Sequence, residues 1–238
     1  MAALFVMGFV YGPLGGWLTL WAGPRPIFLI LAGCCLLGLW MARGLPTVGH
    51  DLHSSPGRRF KWPDSVALWS FIEGVALDGL FIFGLSIQAQ KILGGDAVLI
   101  AGGLMALRYV SEMLLSPLGG RAAQRFGATS MLLLFSFLSA LALAAFGSYW
   151  VIVGAAAVLV LRALQLPLVT TLVAERNPGS MRVSALASNA VWRDIGAGLG
   201  PLLAGLLLPV AAAPWVFGLA GAAIAVSAVF CWRAKRSN

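Results

Sequence analysis

Runs of about 20 predominantly apolar residues, the length an α-helix needs to cross a bilayer, recur along the whole chain between short polar or Gly/Pro-rich breaks. They predict eight spanning helices, near residues 2 to 21, 26 to 42, 64 to 90, 96 to 117, 129 to 146, 149 to 172, 184 to 209 and 213 to 232. The breaks read AGPRP, RGLPTVGHDLHSSPGRRFKWPD, KILGGD, GGRAAQRFGAT, GSY, AERNPGSMRV and PVAAAP. Only the second is long and polar, so it divides two helices from six. The runs do not alternate apolar with polar positions, which excludes barrel strands. The first run, MAALFVMGFVYGPLGGWLTL, has no basic residues ahead of it and exceeds the roughly 7–15 residues of a signal peptide's apolar region, so it is expected to span rather than be cleaved. The fold class expected is an all-α polytopic membrane protein.

Composition supports this reading. Of 238 residues 60% are hydrophobic and 10% charged, and mean hydropathy is +0.92; the 16 basic and 8 acidic side chains cannot coat a water-soluble globule of this size. Arg43, Arg58, Arg59, Lys61, Arg121, Arg125, Arg176, Arg182, Arg233, Lys235 and Arg236 fall on one side of the predicted topology, against Arg25 and Lys91 on the other. Basic residues favour the cytoplasmic side, so both termini and the long linker are expected there. The net charge of +8 is scattered singly between apolar runs, which argues against nucleic-acid binding. Cys34, Cys35 and Cys231 sit within apolar runs and form no spaced ligand set. His50, Asp51 and His53 in the linker lack a fourth ligand and a rigid frame, so no metal is expected. Trp62, Trp69, Trp150, Trp192, Trp215 and Trp232 lie mostly near predicted helix ends, where an interfacial belt accounts for them. No phosphate-binding loop and no hydrolase triad stands out, so neither a cofactor nor enzymatic catalysis is expected.

The first helix pair repeats later in the chain. An offset of 188 residues lays Gly8 on Gly196, Gly12 on Gly200, Pro13 on Pro201, Leu14 on Leu202, Pro26 on Pro214, and Leu31, Ala32 and Gly33 on Leu219, Ala220 and Gly221. Internal repeats of this kind mark transporter folds. A glycine every four residues lets a neighbouring backbone approach closely, and the proline after it removes a backbone donor and kinks the helix.

These motifs resemble those of the major facilitator superfamily. MGFVYGPLGG resembles the Gly-Pro motif of that family's fifth helix, with one residue rather than two between Pro13 and Gly15, and GAGLGPLLAG resembles its echo in the eleventh. PLGGRAAQRFGATS resembles the family's signature loop: Gly120, Arg125 and Gly127 match, while Gln124 stands where the family has Asp. LRALQLP resembles the Arg-x-x-Gln part of a fourth-helix motif through Arg162 and Gln165, with Leu166 where Gly is expected. The resemblance implies that residues 1–42 are the last two helices of the N-terminal half, 43–63 the central cytoplasmic linker and 64–238 a complete C-terminal six-helix half, with the family's first four helices absent. It implies a secondary transporter of a small solute in a bacterial inner membrane, proton-coupled and, through the Gly-Pro motifs, of an efflux kind. The alternative is a truncated or non-transporting protein of the same fold, or a subunit whose missing helices come from a partner chain.

A charge at a spanning helix centre costs about 2.5–3.5 kcal/mol on insertion scales, so such residues are the candidates for function. They are Glu73 and Asp78 in the third predicted span, Arg108 and Glu112 in the fourth, Arg162 in the sixth, and Arg193 and Asp194 in the seventh. Arg108 and Glu112, four apart, are expected to pair on one helix face. Arg193 and Asp194 point about 100° apart, so at least one is expected to find a partner on another helix. Glu73 and Asp78, five apart, are expected on different faces of their helix. A carboxylate in an apolar cavity favours its neutral form and so can load and release a proton; Asp78, the deeper of the two, is the first candidate, and Asp78→Asn is expected to abolish coupling. For Arg162 a structural role is expected.

Overall fold

The computed structural model describes residues 63–93, 97–179 and 181–236, with isolated positions between 29 and 43. Gly8, Gly12, Pro13, the linker histidines and most of the first two predicted spans therefore lie outside the described residues. Within them the chain is all helix: α1 (Ser65–Glu73), a π-helical segment (Gly74–Leu80), α2 (Phe81–Leu93), α3 (Ala97–Phe126), α4 (Ala128–Gly147), α5 (Val151–Arg176), α6 (Met181–Leu207) and α7 (Ala213–Arg236). The α1 start is fixed by Asp64, whose Oδ1 accepts the Ala67 N–H at 2.7 Å and so satisfies one of the helix's open donors. Among the described residues four stretches are long and apolar enough to cross a membrane: Ser65–Lys91, Ala128–Gly147, Val151–Arg176 and Ala213–Ala234. The other two long helices, α3 and α6, carry charged pairs within them, Arg108 with Glu112 and Arg193 with Asp194.

One expected break is largely helical. The stretch from Gly119 to Phe126, read as a connection, continues α3. Its Arg, Ala and Gln side chains are good helix formers, so its polarity marks a helix end that leaves the apolar region. Gly127 alone makes the turn into α4, with φ +86°, a backbone state that glycine adopts without a Cβ clash.

Two apolar clusters hold the helices together. One gathers Leu77, Phe81, Leu143, Phe146, Leu159, Phe217 and Ile224, with Phe146 edge-on to Phe81 and Phe217 at centroid distances of 4.9 and 4.7 Å. The other gathers Val66, Trp69, Leu132, Leu168, Leu172 and Cys231. Because lipid tails are as apolar as these side chains, close packing, more than exclusion of water, supplies their attraction. Backbones approach closely where α6 crosses α1 and the π segment. A Cβ on Gly196 would strike the Phe71 carbonyl, and a Cβ on either Gly79 or Gly200 would strike the Cα of the other. Only Gly196, Gly200 and Ala204 of α6 are buried, so a stripe of small residues runs along this crossing.

Candidate functional site

Between the two apolar clusters lies a polar layer. In chain order the residues of α1, the π segment and α2 run from Trp69 through Glu73 and Asp78 to Phe81, and those of α5 from Leu159 through Arg162 to Leu168. The expectation that Glu73 and Asp78 stand on different faces is overturned by the π segment. In an α-helix residues five apart are about 140° apart around the axis. In a π-helix, whose bonds run i→i+5, five residues come close to one full turn; the Phe81 N–H accordingly donates to the Ala76 carbonyl. Both carboxylates thus reach the same guanidinium, that of Arg162 on α5.

Five charged residues from three parts of the chain make one cluster. Asp78 Oδ1 accepts hydrogen bonds from Arg162 Nη2 and, at 3.1 Å, from Arg108 Nη2. Glu112 Oε1 accepts from Arg162 Nη1 at 2.6 Å and from Arg108 Nε at 3.1 Å. Glu73 Oε1 lies 3.5 Å from Arg162 Nε, but the pair is not aligned as a hydrogen bond, and Nε has no other partner. Glu73 and Arg162 are the most buried of the five, each with a side chain 4% exposed. Arg108 and Glu112 pair as expected, yet the pair is shared with Arg162. Three carboxylates face two guanidiniums, so with all five ionised the cluster holds one negative charge in excess. Of the three acids, Glu73 receives no hydrogen bond from either arginine.

A cavity of about 50 Å³ adjoins the cluster, lined by Trp69, Ser70, Glu73, Gln165, Leu166, Val169, Thr170, Asn189 and Arg193. Its polar walls are tied to the helices behind them. Ser70 Oγ donates to Asn189 Oδ1 at 3.0 Å, Gln165 Nε2 to Ser139 Oγ at 3.0 Å, and Trp69 Nε1 to Ser136 Oγ at 3.1 Å. Trp69, expected in an interfacial belt, is instead fully enclosed at 1% exposure, because its indole N–H finds Ser136 within the bundle. Trp150 and Trp215 are exposed near helix starts, where a belt would place them. Pro167 lies within α5 beside the cavity-lining Leu166; Thr170 and Thr171 donate to its carbonyl at 3.0 and 2.7 Å.

The remaining expected residues form no ion pair with the cluster. Arg193 and Asp194 contact each other, Nη2 to Oδ1 at 3.3 Å, because the long arginine side chain folds back over its neighbour, while Arg193 also lines the cavity beside Glu73. Gly120, Arg125 and Gly127 lie at the α3–α4 junction, where Arg125 stacks over the Phe126 ring at 5.4 Å. Gly196, Gly200 and Pro201 lie on α6, the first two in the close helix crossing. Sequence reasoning singled out all five cluster residues and Gln165, but missed Ser70, Ser136, Ser139 and Asn189, whose small polar side chains carry no spacing signal.

Comparison with known proteins follows the same lines. No curated protein and no solved structure matches the chain. A family model described as the Major Facilitator Superfamily matches residues 71–237, a span that takes in all five cluster residues and well over half of the chain. On that match, together with the helical membrane architecture, the chain belongs to the Major Facilitator Superfamily and is an integral membrane protein of its transporter type.

Proposed function

We propose that this chain moves a small solute across the membrane by secondary transport coupled to proton movement, with Glu73 as the group that carries the proton. The observation behind this reading is the charge count: three carboxylates share two guanidiniums, and Glu73 alone receives no hydrogen bond from them. An uncompensated charge buried among apolar helices is costly, and a proton on Glu73 removes it. Asp78 and Glu112 each accept two charge-assisted bonds, which shifts the role from Asp78 to Glu73. Glu73 also lines the cavity, so water there gives it a route for proton exchange. When Glu73 loses its proton, Arg162 is drawn toward it and away from Asp78 and Glu112, which ties the proton to the contacts between α1, α3 and α5. Rocking of helices about a midplane site is how this kind of fold alternates its access. The resemblance of the Gly-Pro motifs to those of antiporter branches supports export in exchange for protons.

Infrared difference spectroscopy of the purified chain over a pH titration tests this without knowledge of the solute. The expected result is a carboxylic-acid stretch in the unsubstituted chain that disappears in Glu73→Gln and persists in Asp194→Asn. Survival of the band in Glu73→Gln refutes the assignment.

A second observation favours assembly with other protein. The Asp194 side chain is 69% exposed on a helix whose buried residues are Gly196, Gly200 and Ala204 alone, and a charge at such depth is expected to face protein or water. In this reading a partner covers α6, and cross-linking from the Asp194 position in native membranes identifies it.

A further inference from the structure

The cavity beside the charge cluster has opposite charges in its wall. Glu73 contributes a carboxylate that no guanidinium hydrogen-bonds. Arg193, from α6, contributes a guanidinium whose Nε is buried without a hydrogen-bond partner and whose Nη2 donates to the exposed Asp194. No ion pair joins Glu73 to Arg193 among the described residues. A further polar group lies in the same wall: Gln165 is 1% exposed, and its Oε1 has no partner while its Nε2 is spent on Ser139. Buried polar groups are nearly always hydrogen-bonded, so two of them left open beside a carboxylate that no guanidinium hydrogen-bonds mark a place that something else completes.

From this arrangement we infer that the cavity takes a small zwitterionic solute, with a cationic group at Glu73 and an anionic group at Arg193. A purely cationic solute would leave the Arg193 Nε unsatisfied and meet its charge; a purely anionic one would meet Glu73. Gln165 offers its open amide end to the middle of the solute, and Ser70 with Asn189 supplies further polar wall. The volume of about 50 Å³ holds about four waters on the scale at which one needs about 10–15 Å³, which matches the bulk of a glycine or alanine molecule. Trp69, Leu166 and Val169 make the apolar part of the wall. The inference rests on the transporter reading only in taking the cavity to lie on the solute's route.

Titration calorimetry on the purified chain at constant pH, with glycine, glycine methyl ester and N-acetylglycine as probes, tests it. The ester keeps the ammonium and blocks the carboxylate; the acetyl derivative does the reverse. Glycine is expected to bind about tenfold to a hundredfold more tightly than either, the ratio that one charge-assisted hydrogen bond supplies. In Arg193→Gln the preference for glycine over its ester should vanish while binding of the ester stays unchanged. In Glu73→Gln the preference over N-acetylglycine should vanish, and since all three probes are compared within each variant, a general loss of fold is recognised by the loss of every signal together. The inference is overturned if glycine does not bind the unsubstituted chain, if either blocked analogue binds as well as glycine, or if Arg193→Gln keeps the full preference. Those outcomes leave the carboxylic-acid infrared band untouched, whereas loss of that band's assignment with glycine selectivity intact overturns only the proton reading.

Discussion

Neutralising the three acids of the cluster one at a time should separate them sharply in stability. Each amide substitution leaves two carboxylates facing two guanidiniums, so the charge balance is the same in all three variants and only the lost hydrogen bonds differ. Asp78 accepts from Arg108 and Arg162, and Glu112 accepts from the same pair; Glu73 accepts none. At about 1.5–3 kcal/mol for each bond to a charged group, Asp78→Asn and Glu112→Gln forfeit about 3–6 kcal/mol before any relief from the removed excess charge. Glu73→Gln forfeits no such bond and removes the least compensated charge, so it should be neutral or stabilising. Glu112, with its side chain 24% exposed against 12% for Asp78, should lose less than Asp78 because solvent softens its contribution. The assay is the thermal unfolding midpoint of the purified variants in one detergent at neutral pH. For a chain of this size about 1 kcal/mol corresponds to about 2–4 °C, so Asp78→Asn should fall several degrees below Glu73→Gln. If Glu73→Gln melts as low as Asp78→Asn, Glu73 is an integral member of the ion-pair network and the charge-count reasoning fails.

Two further predictions concern packing. Gly200→Ala places a Cβ against backbone of the π segment, 2.6 Å from both the Leu80 nitrogen and the Val75 carbonyl oxygen, and should cost about 1–3 kcal/mol or more; Gly198→Ala on the same helix meets nothing within 4 Å and should gain about 0.5–1 kcal/mol through helix propensity. Equal midpoints for the two alanine variants would refute the close crossing. Phe146→Ala removes a fully enclosed ring that meets Phe81 and Phe217; with no transfer from water to lose, the cavity alone should cost about 2 kcal/mol at about 24 cal/mol per Å³, read as a fall in melting midpoint that Leu141→Ala, on an exposed position of the same helix, does not show.

The helices were legible because crossing a membrane demands about 20 apolar residues whatever else a sequence encodes, and the residues of the cluster were legible because charges in such a run are rare. How those charges meet was not. The step from Glu73 to Asp78 was measured with an α-helical ruler, and nothing in GVALDGL announces i→i+5 bonding. Trp69 looked interfacial by its distance from a helix end, but the hydroxyl that receives its N–H, on Ser136, is 67 residues away in the chain. The polar end of α3 looked like a loop because side-chain polarity, which reports where the helix leaves lipid, does not report where it stops. Arg193 and Asp194 diverge at their Cα–Cβ bonds as expected, and it is the length of the arginine that undoes the divergence.

A helix with a π segment carries a surplus residue, and so it has two phases. Positions that share a face along α1 are out of step with those along α2 by about one residue's rotation, about 100°. Removing a single residue between Gly74 and Leu80 would leave an unbroken α-helix of nearly the same composition and hydropathy, still long enough to span. It would also turn either Glu73 or Asp78 away from Arg162, or, if both carboxylates stayed, swing Phe81 out of its aromatic cluster. Insertions and deletions are usually tolerated in loops and harmful in spans because they disturb length; here one residue's worth of length is immaterial, and what the residue sets is the angle between two halves of one rod.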